Sequence, residues 1–234
     1  MTSANIVGYD KAGLVNGFSI GGPCFAPVSK ESFSIQELIP VDADGVIQYG
    51  GVFQLQTKNA QGKLDMLYAY VSGEDLGEET WPNGWYEEDY ETFATKTFAA
   101  GEGFLFNSML EGATLTYSGE VLTAPIKLPL VNGFSLMSNP RPVKVNIQNL
   151  IPVDANDEVQ YGGVFQLQTK NAQGKLDMLY AYVSGEDLGE ETWPNGWYEE
   201  DYETFATKEF EAGEGFLFNS MVTGGHLTLA KMAL

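Results

Sequence analysis

QYGGVFQLQTKNAQGKLDMLYAYVSGEDLGEETWPNGWYEEDYETFATK, residues 48 to 96, returns without a single change at residues 160 to 208. Counted inclusively, 49 residues recur at a displacement of 112, the difference between 160 and 48. An exact internal repeat means that one structural unit is used twice. The 234-residue chain is therefore expected to hold two tandem, near-identical domains, 1–119 and 120–234, of about 115 residues each. A unit of that size buries about two-thirds of its unfolded surface and needs no staple. Any activity requiring a unique set of residues must lie outside the copied stretch or be bivalent.

Within the stretch, residues 52–57 alternate Phe53 and Leu55 with Gln54 and Gln56. Residues 59–62 carry turn chemistry, and residues 64–71 resume the alternation with Leu64, Met66, Tyr68 and Tyr70 on one face. Period-two alternation around a turn predicts a strand hairpin. Residues 72–79 are acidic and punctuated by glycine, which predicts a loop. Trp81-Pro82-Asn83-Gly84-Trp85 predicts a tight turn with an aromatic on each side.

Outward from the copy, Asn16-Gly17-Phe18-Ser19 matches Asn132-Gly133-Phe134-Ser135 at a displacement of 116. Lys11 and Leu14 match Lys127 and Leu130 in the same register. The displacement then falls to 112, so the first unit carries four extra residues between residues 20 and 33. Such an insertion belongs in a surface loop. Residues 20–33 and 136–145, where the units differ most, and the two chain ends are the expected places of attachment to other molecules. Ser34-Ile35-Gln36-Glu37-Leu38-Ile39-Pro40, mirrored by residues 146–152, reads as one capped helical turn ended by proline. Residues 100–103 read as another turn, residues 104–107 as a buried strand and residues 113–117 as a further strand. Six to eight short strands per unit with no βαβ rhythm predict an all-β fold of two sandwich or barrel domains, each with one short helical turn. The nearly absent linker at residues 117–121 predicts rigid juxtaposition.

The order NGFS, IQELIP, YGGVF, a GW turn, AAGEGFLFN and LTYSGEVL resembles a poorly characterised all-β tandem repeat of bacterial surface proteins, with phage structural proteins as a further setting. The resemblance covers both units and implies an all-β repeat with no catalytic activity to carry over. The second unit departs from it at its end, where HLTLAKMAL lacks the Gly-Glu-Val.

Composition narrows the function. With 32 acidic and 12 basic side chains the formal charge is −20, and Arg141 is the single arginine. Nucleic-acid binding draws on clustered Lys and Arg, so nucleic acid and anionic membrane are not expected partners. Cys24 is the only cysteine, which excludes an intrachain disulfide and reads as a small buried hydrophobe. The opening MTSANIVGYDKAG has neither the basic nor the apolar region of a leader, and no window approaches a membrane span. A chain used without the secretory pathway is expected.

Eight acids lie between Glu74 and Glu91: Glu74, Asp75, Glu78, Glu79, Glu87, Glu88, Asp89 and Glu91. Crowded carboxylates suit Ca²⁺, although the EF-hand spacing is absent, and a solvated acidic rim is the other reading. Asp42-Ala43-Asp44-Gly45 is a two-ligand fragment that the second unit does not keep. Trp81, Trp85, Tyr86 and Tyr90, with Trp193, Trp197, Tyr198 and Tyr202, form either a stacking platform for glycans or a lid on the core. His226, the only histidine, has no cysteine or histidine beside it, and no Ser-His-Asp set, phosphate loop or zinc spacing can be assembled. Paired carboxylates in a loop make a poor glycosidase. The expected protein is non-catalytic and free of cofactors. It builds or decorates a larger particle, most plausibly a phage virion (capsid decoration or tail-associated), through protein partners and homo-oligomerisation. The alternative is a bivalent carbohydrate-binding or adhesion module at the bacterial surface.

Overall fold

Alternation decides which way each strand faces. In the computed structural model, which describes residues 7–27, 32–58, 63–77, 80–170, 175–189 and 192–232, Phe53, Leu55 and Thr57 turn inward while Gln54, Gln56 and Lys58 are half-buried on the opposite face. Phe104 and Phe106 alternate with half-buried Leu105 and Asn107 in the same way. Branched and aromatic side chains suit this pleated, half-buried surface. The turn expected at residues 59–62 lies outside the described residues.

The first half supplies β1 (Val7–Gly13), β2 (Gly17–Gly21), β3 (Phe33–Ser34), β4 (Ile39–Val41), β5 (Phe53–Lys58), β6 (Leu64–Val71), β7 (Gly84–Glu87), β8 (Thr97–Phe98), β9 (Phe104–Ser108) and β10 (Thr114–Glu120). The second supplies β11 (Ile126–Pro129), β12 (Gly133–Ser138), β13 (Val145–Asn146), β14 (Leu150–Val153), β15 (Phe165–Lys170), β16 (Leu176–Val183), β17 (Gly196–Glu199), β18 (Glu209–Phe210), β19 (Gly215–Ser220) and β20 (His226–Leu229). The fold is all-β, 48% strand and 3% helix, with small sheets set in a propeller-like ring of four. Each half forms a five-stranded sheet (β2-β9-β5-β6-β7 and β12-β19-β15-β16-β17) and a three-stranded sheet (β1-β10-β4 and β11-β20-β14). All pairings within these sheets are antiparallel. Both five-stranded sheets are open, with β2 and β7, or β12 and β17, at their edges, so a closed barrel is not what forms. The last strand, whose sequence departs from the repeat, keeps the partners of β10 but stops at Leu229.

The helical turn is a 3-10 turn at Ile35–Glu37 with the expected reciprocal cap. Ser34 Oγ accepts from the Gln36 amide, and Glu37 Oε2 accepts from the Ser34 amide at 2.8 Å. In the second half Asn146 caps Ile147–Asn149 from the Gln148 amide at 2.9 Å. The turn fastens the sheet through one side chain: Gln36 Nε2 donates to Trp85 O and Ala94 O, both at 2.9 Å, and its Oε1 accepts from the Trp85 amide at 2.9 Å.

The apolar side chains gather in two main clusters, one drawn from residues 24–117 and one from residues 126–229. Each combines the inner face of a five-stranded sheet with the three-stranded sheet of the same half, as Phe53 and Phe106 do with Leu115. A smaller cluster lies on the outer face of each five-stranded sheet: Ala69, Val71 and Tyr86 in the first half, Ala181, Val183 and Tyr198 in the second. Among the described residues no helix is long and apolar enough to cross a membrane.

Candidate functional site

The eight aromatic residues singled out from the sequence separate by depth. Trp85 and Trp197 are fully buried. Trp85 packs edge-on to Tyr70 at 5.2 Å between ring centroids and to Phe106 at 5.9 Å, and its Nε1 donates to Leu38 O at 2.8 Å. It is a core residue, because β7 pairs Trp85 with Tyr70 and so shares that strand's inner face. A stacking platform that includes Trp85 or Trp197 is therefore ruled out. Tyr86 and Tyr198 point the other way, into the outer clusters, and the Tyr86 hydroxyl donates to Pro82 O at 2.8 Å. Half-buried Trp81 covers Tyr86, its ring stacked at 6.1 Å and 17°. One face of the Trp81 indole is thereby used internally. The Trp81 loop is drawn tight by Gly73, where an added Cβ would stand 2.1 Å from Trp81 O, and by the Gly73 amide donating to Asn83 Oδ1 at 3.1 Å.

Tyr90 and Tyr202 remain outward, 41% and 40% exposed. They sit in hairpins at φ 58, a left-handed conformation that glycine or asparagine normally occupies. The hairpin closes with the Tyr90 amide donating to Glu87 O at 2.9 Å. Asp89 fixes it, its Oδ1 accepting from the amides of Glu91 and Thr92 and its Oδ2 from the Thr92 hydroxyl at 2.7 Å. Glu88, Asp89 and Glu91 surround Tyr90, all exposed. The same tyrosine in an acidic ring is repeated around Tyr202.

Two of the carboxylates proposed for Ca²⁺, Asp42 and Asp89, are engaged by the chain itself. Asp42 Oδ1 accepts from the amides of Asp44 and Val46, both at 2.9 Å, and Oδ2 from Gln48 Nε2 at 2.6 Å. Asp154 repeats this with Asn156, Glu158 and Gln160. These donors hold Asp42, Asp89, Asp154 and Asp201 below the ordinary carboxylate value. Glu78 and Glu79 lie outside the described residues. Among the described residues no group of three or more His, Cys, Asp or Glu is placed to hold a metal ion.

Most of the described part of the segments in which the halves differ is buried, although Val143 and Lys144 are exposed. Gly22 to Phe25 are buried, with Cys24 at 0% and Phe25 at 2%, and so are residues 137–141. Residues 28–31 of the insertion lie outside the described residues. Phe25 packs on the first three-stranded sheet, edge-on to Tyr117 at 6.1 Å. In the second half Arg141 bonds the corresponding backbone, its Nη2 donating to Ala124 O at 3.2 Å and to Ala230 O at 2.5 Å. Insertion in the first half and substitution in the second fill space here.

Part of that space lies between the halves. The Gly22 amide donates to Gly213 O at 3.1 Å and the Ser138 amide to Gly101 O at 3.0 Å. Bridges join Gly21 to Glu214 and Met137 to Glu102. Gly22 and Ser138 correspond at a displacement of 116, and Gly101 and Gly213 at 112, so each contact is its partner with the halves exchanged. This is the self-complementary geometry of a two-fold interface, made here within one chain. Each turn closes the neighbouring half's edge strand, β2 or β12, which would otherwise offer unpaired backbone groups. The approach needs glycine: a Cβ on Gly103 would stand 2.8 Å from both Met137 N and Met137 O. Beside the contact lie two related pockets of about 380 and 250 Å³. The larger is lined by Ala12, Phe104, Phe106 and Lys170, the smaller by Leu128, Met137 and Lys58. From the sequence, residues 100–103 read only as a turn; the signal that marks the contact is the glycine pair Gly101 and Gly103, recurring as Gly213 and Gly215. Compared with known proteins, the chain matches no family model, no curated protein and no solved structure.

Proposed function

We propose that this is a non-catalytic structural protein, two copies of one sandwich-like β domain (1–119 and 120–234) fused back to back, which builds or decorates a larger particle such as a phage virion. The observation that carries this reading is the direction of burial. Where they are described, the divergent segments turn mostly inward, Val143 and Lys144 excepted, while the identical hairpins bearing Tyr90 and Tyr202 stand outward. The copied stretch carries nine acids and three lysines, −6 per copy and −12 of the −20 over both. Two identical acidic contacts on one rigid body favour repetitive assembly, since a second contact made by the same body gains from effective concentration. A strained, exposed aromatic retained in both copies suits a contact residue.

The test is mass photometry of the full-length protein across a concentration and salt series, beside a glycan array. Concentration-dependent oligomers that disappear in the Tyr90→Asp/Tyr202→Asp variant are expected. A monomer at every concentration, with an array signal lost in Trp81→Ala/Trp193→Ala, would favour the bivalent glycan-binding or adhesion module at a bacterial surface instead. That second reading rests on the half-exposed Trp81 and Trp193.

A further inference from the structure

The two pockets beside the inter-half contact are built from equivalent parts, yet they differ in depth, and the side chains at one position, Ala12 and Leu128, contribute to the difference. In the second half Leu128 is 1% exposed, and its methyls lie 2.6 and 2.7 Å from where a Cβ on Gly101 would stand. Leu128 therefore closes the smaller pocket above the core. Its counterpart in the first half, at a displacement of 116, is Ala12, and beside Gly213, the counterpart of Gly101, it is the Tyr117 hydroxyl that lies 2.5 Å from where a Cβ would stand. With alanine at this position the first-half pocket reaches Phe104 and Phe106 beside Tyr117, whereas Phe216 and Phe218, the counterparts of the two phenylalanines, take no part in lining the smaller pocket. A wall left this short in a packed interior forfeits contacts that a leucine would make, as it does at the other site.

We infer that the larger pocket is a binding site for a small aliphatic carboxylate, its chain lying on Phe104 and Phe106 and its carboxylate at Lys170. Its volume of about 380 Å³ falls in the range of about 300–1,000 Å³ that small-molecule sites occupy. The charge at the mouth selects the head group. Lys170 is the only cation in the lining; Glu211 is ion-paired with Lys144 and Glu214 with Lys208, both at 2.6 Å. The Lys170 ammonium donates one bond to Phe18 O, which leaves two of its three N–H groups for a ligand. Burial lowers its pKa, so an anion that restores the lost solvation is favoured there. In the pocket wall the Ser19 hydroxyl is buried without a partner, a second group for a ligand oxygen to satisfy.

Isothermal titration of the full-length protein with decanoate, and separately with the neutral 1-decanol, tests the site. Saturable binding of one decanoate per chain is expected. Ala12→Leu, which places in the first half the residue the second half already has, abolishes it; Ala12→Val serves the same purpose if the larger side chain prevents folding. Lys170→Met weakens decanoate about tenfold, the worth of one charge-assisted contact, and leaves decanol unchanged. Leu128→Ala opens the second pocket and raises the stoichiometry from one to two. Binding of neither probe, wild-type stoichiometry of two, or decanoate affinity unchanged in folded Ala12→Leu or Ala12→Val would each overturn the assignment.

Discussion

Tyr90 and Tyr202 adopt φ 58 in both copies, although nothing in the hairpin prevents asparagine or glycine there. A left-handed non-glycine residue costs about 1–2 kcal/mol. Tyr90→Asn with Tyr202→Asn is therefore expected to raise stability by about 1 kcal/mol per site, read as a shift of the urea midpoint, while weakening the assembly proposed for these tyrosines. A midpoint that falls instead would mean that the ring stabilises the hairpin by more than its backbone costs. Trp85 shows the opposite case, a residue that read as surface-capable yet lies at 0% exposure. Its fate was legible in outline, since GWYE alternates, but which of Trp85 and Tyr86 turns inward depends on the pairing of Tyr70 with Trp85. A one-residue slip in register would exchange them.

Among the elements, the capped 3-10 turn was fully legible, because Ser34, Glu37 and Pro40 act locally. Its reach was not. Gln36 bonds residues 49 and 58 positions away, holding the β7 edge to the segment after it. Gln36→Met takes away the Gln36 bonds to the Trp85 amide and the Ala94 carbonyl, while Trp85 O keeps the Ala94 amide, and is expected to cost about 2–4 kcal/mol, measured by chemical denaturation; Gln148→Met should cost the same, since its bonds to Trp197 and Ala206 are equivalent. The glycine turns behave similarly. A Cβ on Gly103 or Gly215 enters the other half at under 3.0 Å, so Gly103→Val is expected to destabilise by about 1–3 kcal/mol through overpacking. In Gly103→Val/Gly215→Val the two halves should unfold in separate calorimetric transitions, against one in the native protein. Coincident transitions in the double variant would show that the turns do not hold the halves together.

For the whole molecule, the charge and the buried tyrosines set a pH window. Backbone and hydroxyl donors hold Asp42, Asp89, Asp154 and Asp201 below the ordinary 3.8, the largest contributions coming from the Val46 amide, the Thr92 amide, the Glu158 amide and the Thr204 hydroxyl respectively. The folded state binds those protons less tightly, so their contribution is present above pH 3.8 and is lost as pH falls through the lowered folded values. Tyr70 and Tyr182 are pushed up to about 12 by burial, with Tyr49 and Tyr161 adding to it. The folded state binds these protons more tightly, so that contribution is full below pH 10 and disappears as pH rises to about 12. Thermal melts across pH should show a plateau between these limits. Thr92→Val with Thr204→Val should soften the acid limb, and Tyr70→Phe with Tyr182→Phe the alkaline one. Identical limbs in the variants would refute the assignment.

The sequence alone determined the duplication, the all-β class, the capped turn and the acidic exterior, because repeats, alternation, caps and charge are written in residues near one another in the chain. Only the tertiary structure decided that most of the described part of the divergent loops is buried, that the two halves close each other's edge strands, and that Ala12 lines one pocket where Leu128 lines the other. Those outcomes depend on atoms far apart in the chain meeting at under 4 Å. In close-packed matter, a contact of that kind is set by the position of both partners and is visible in neither one alone.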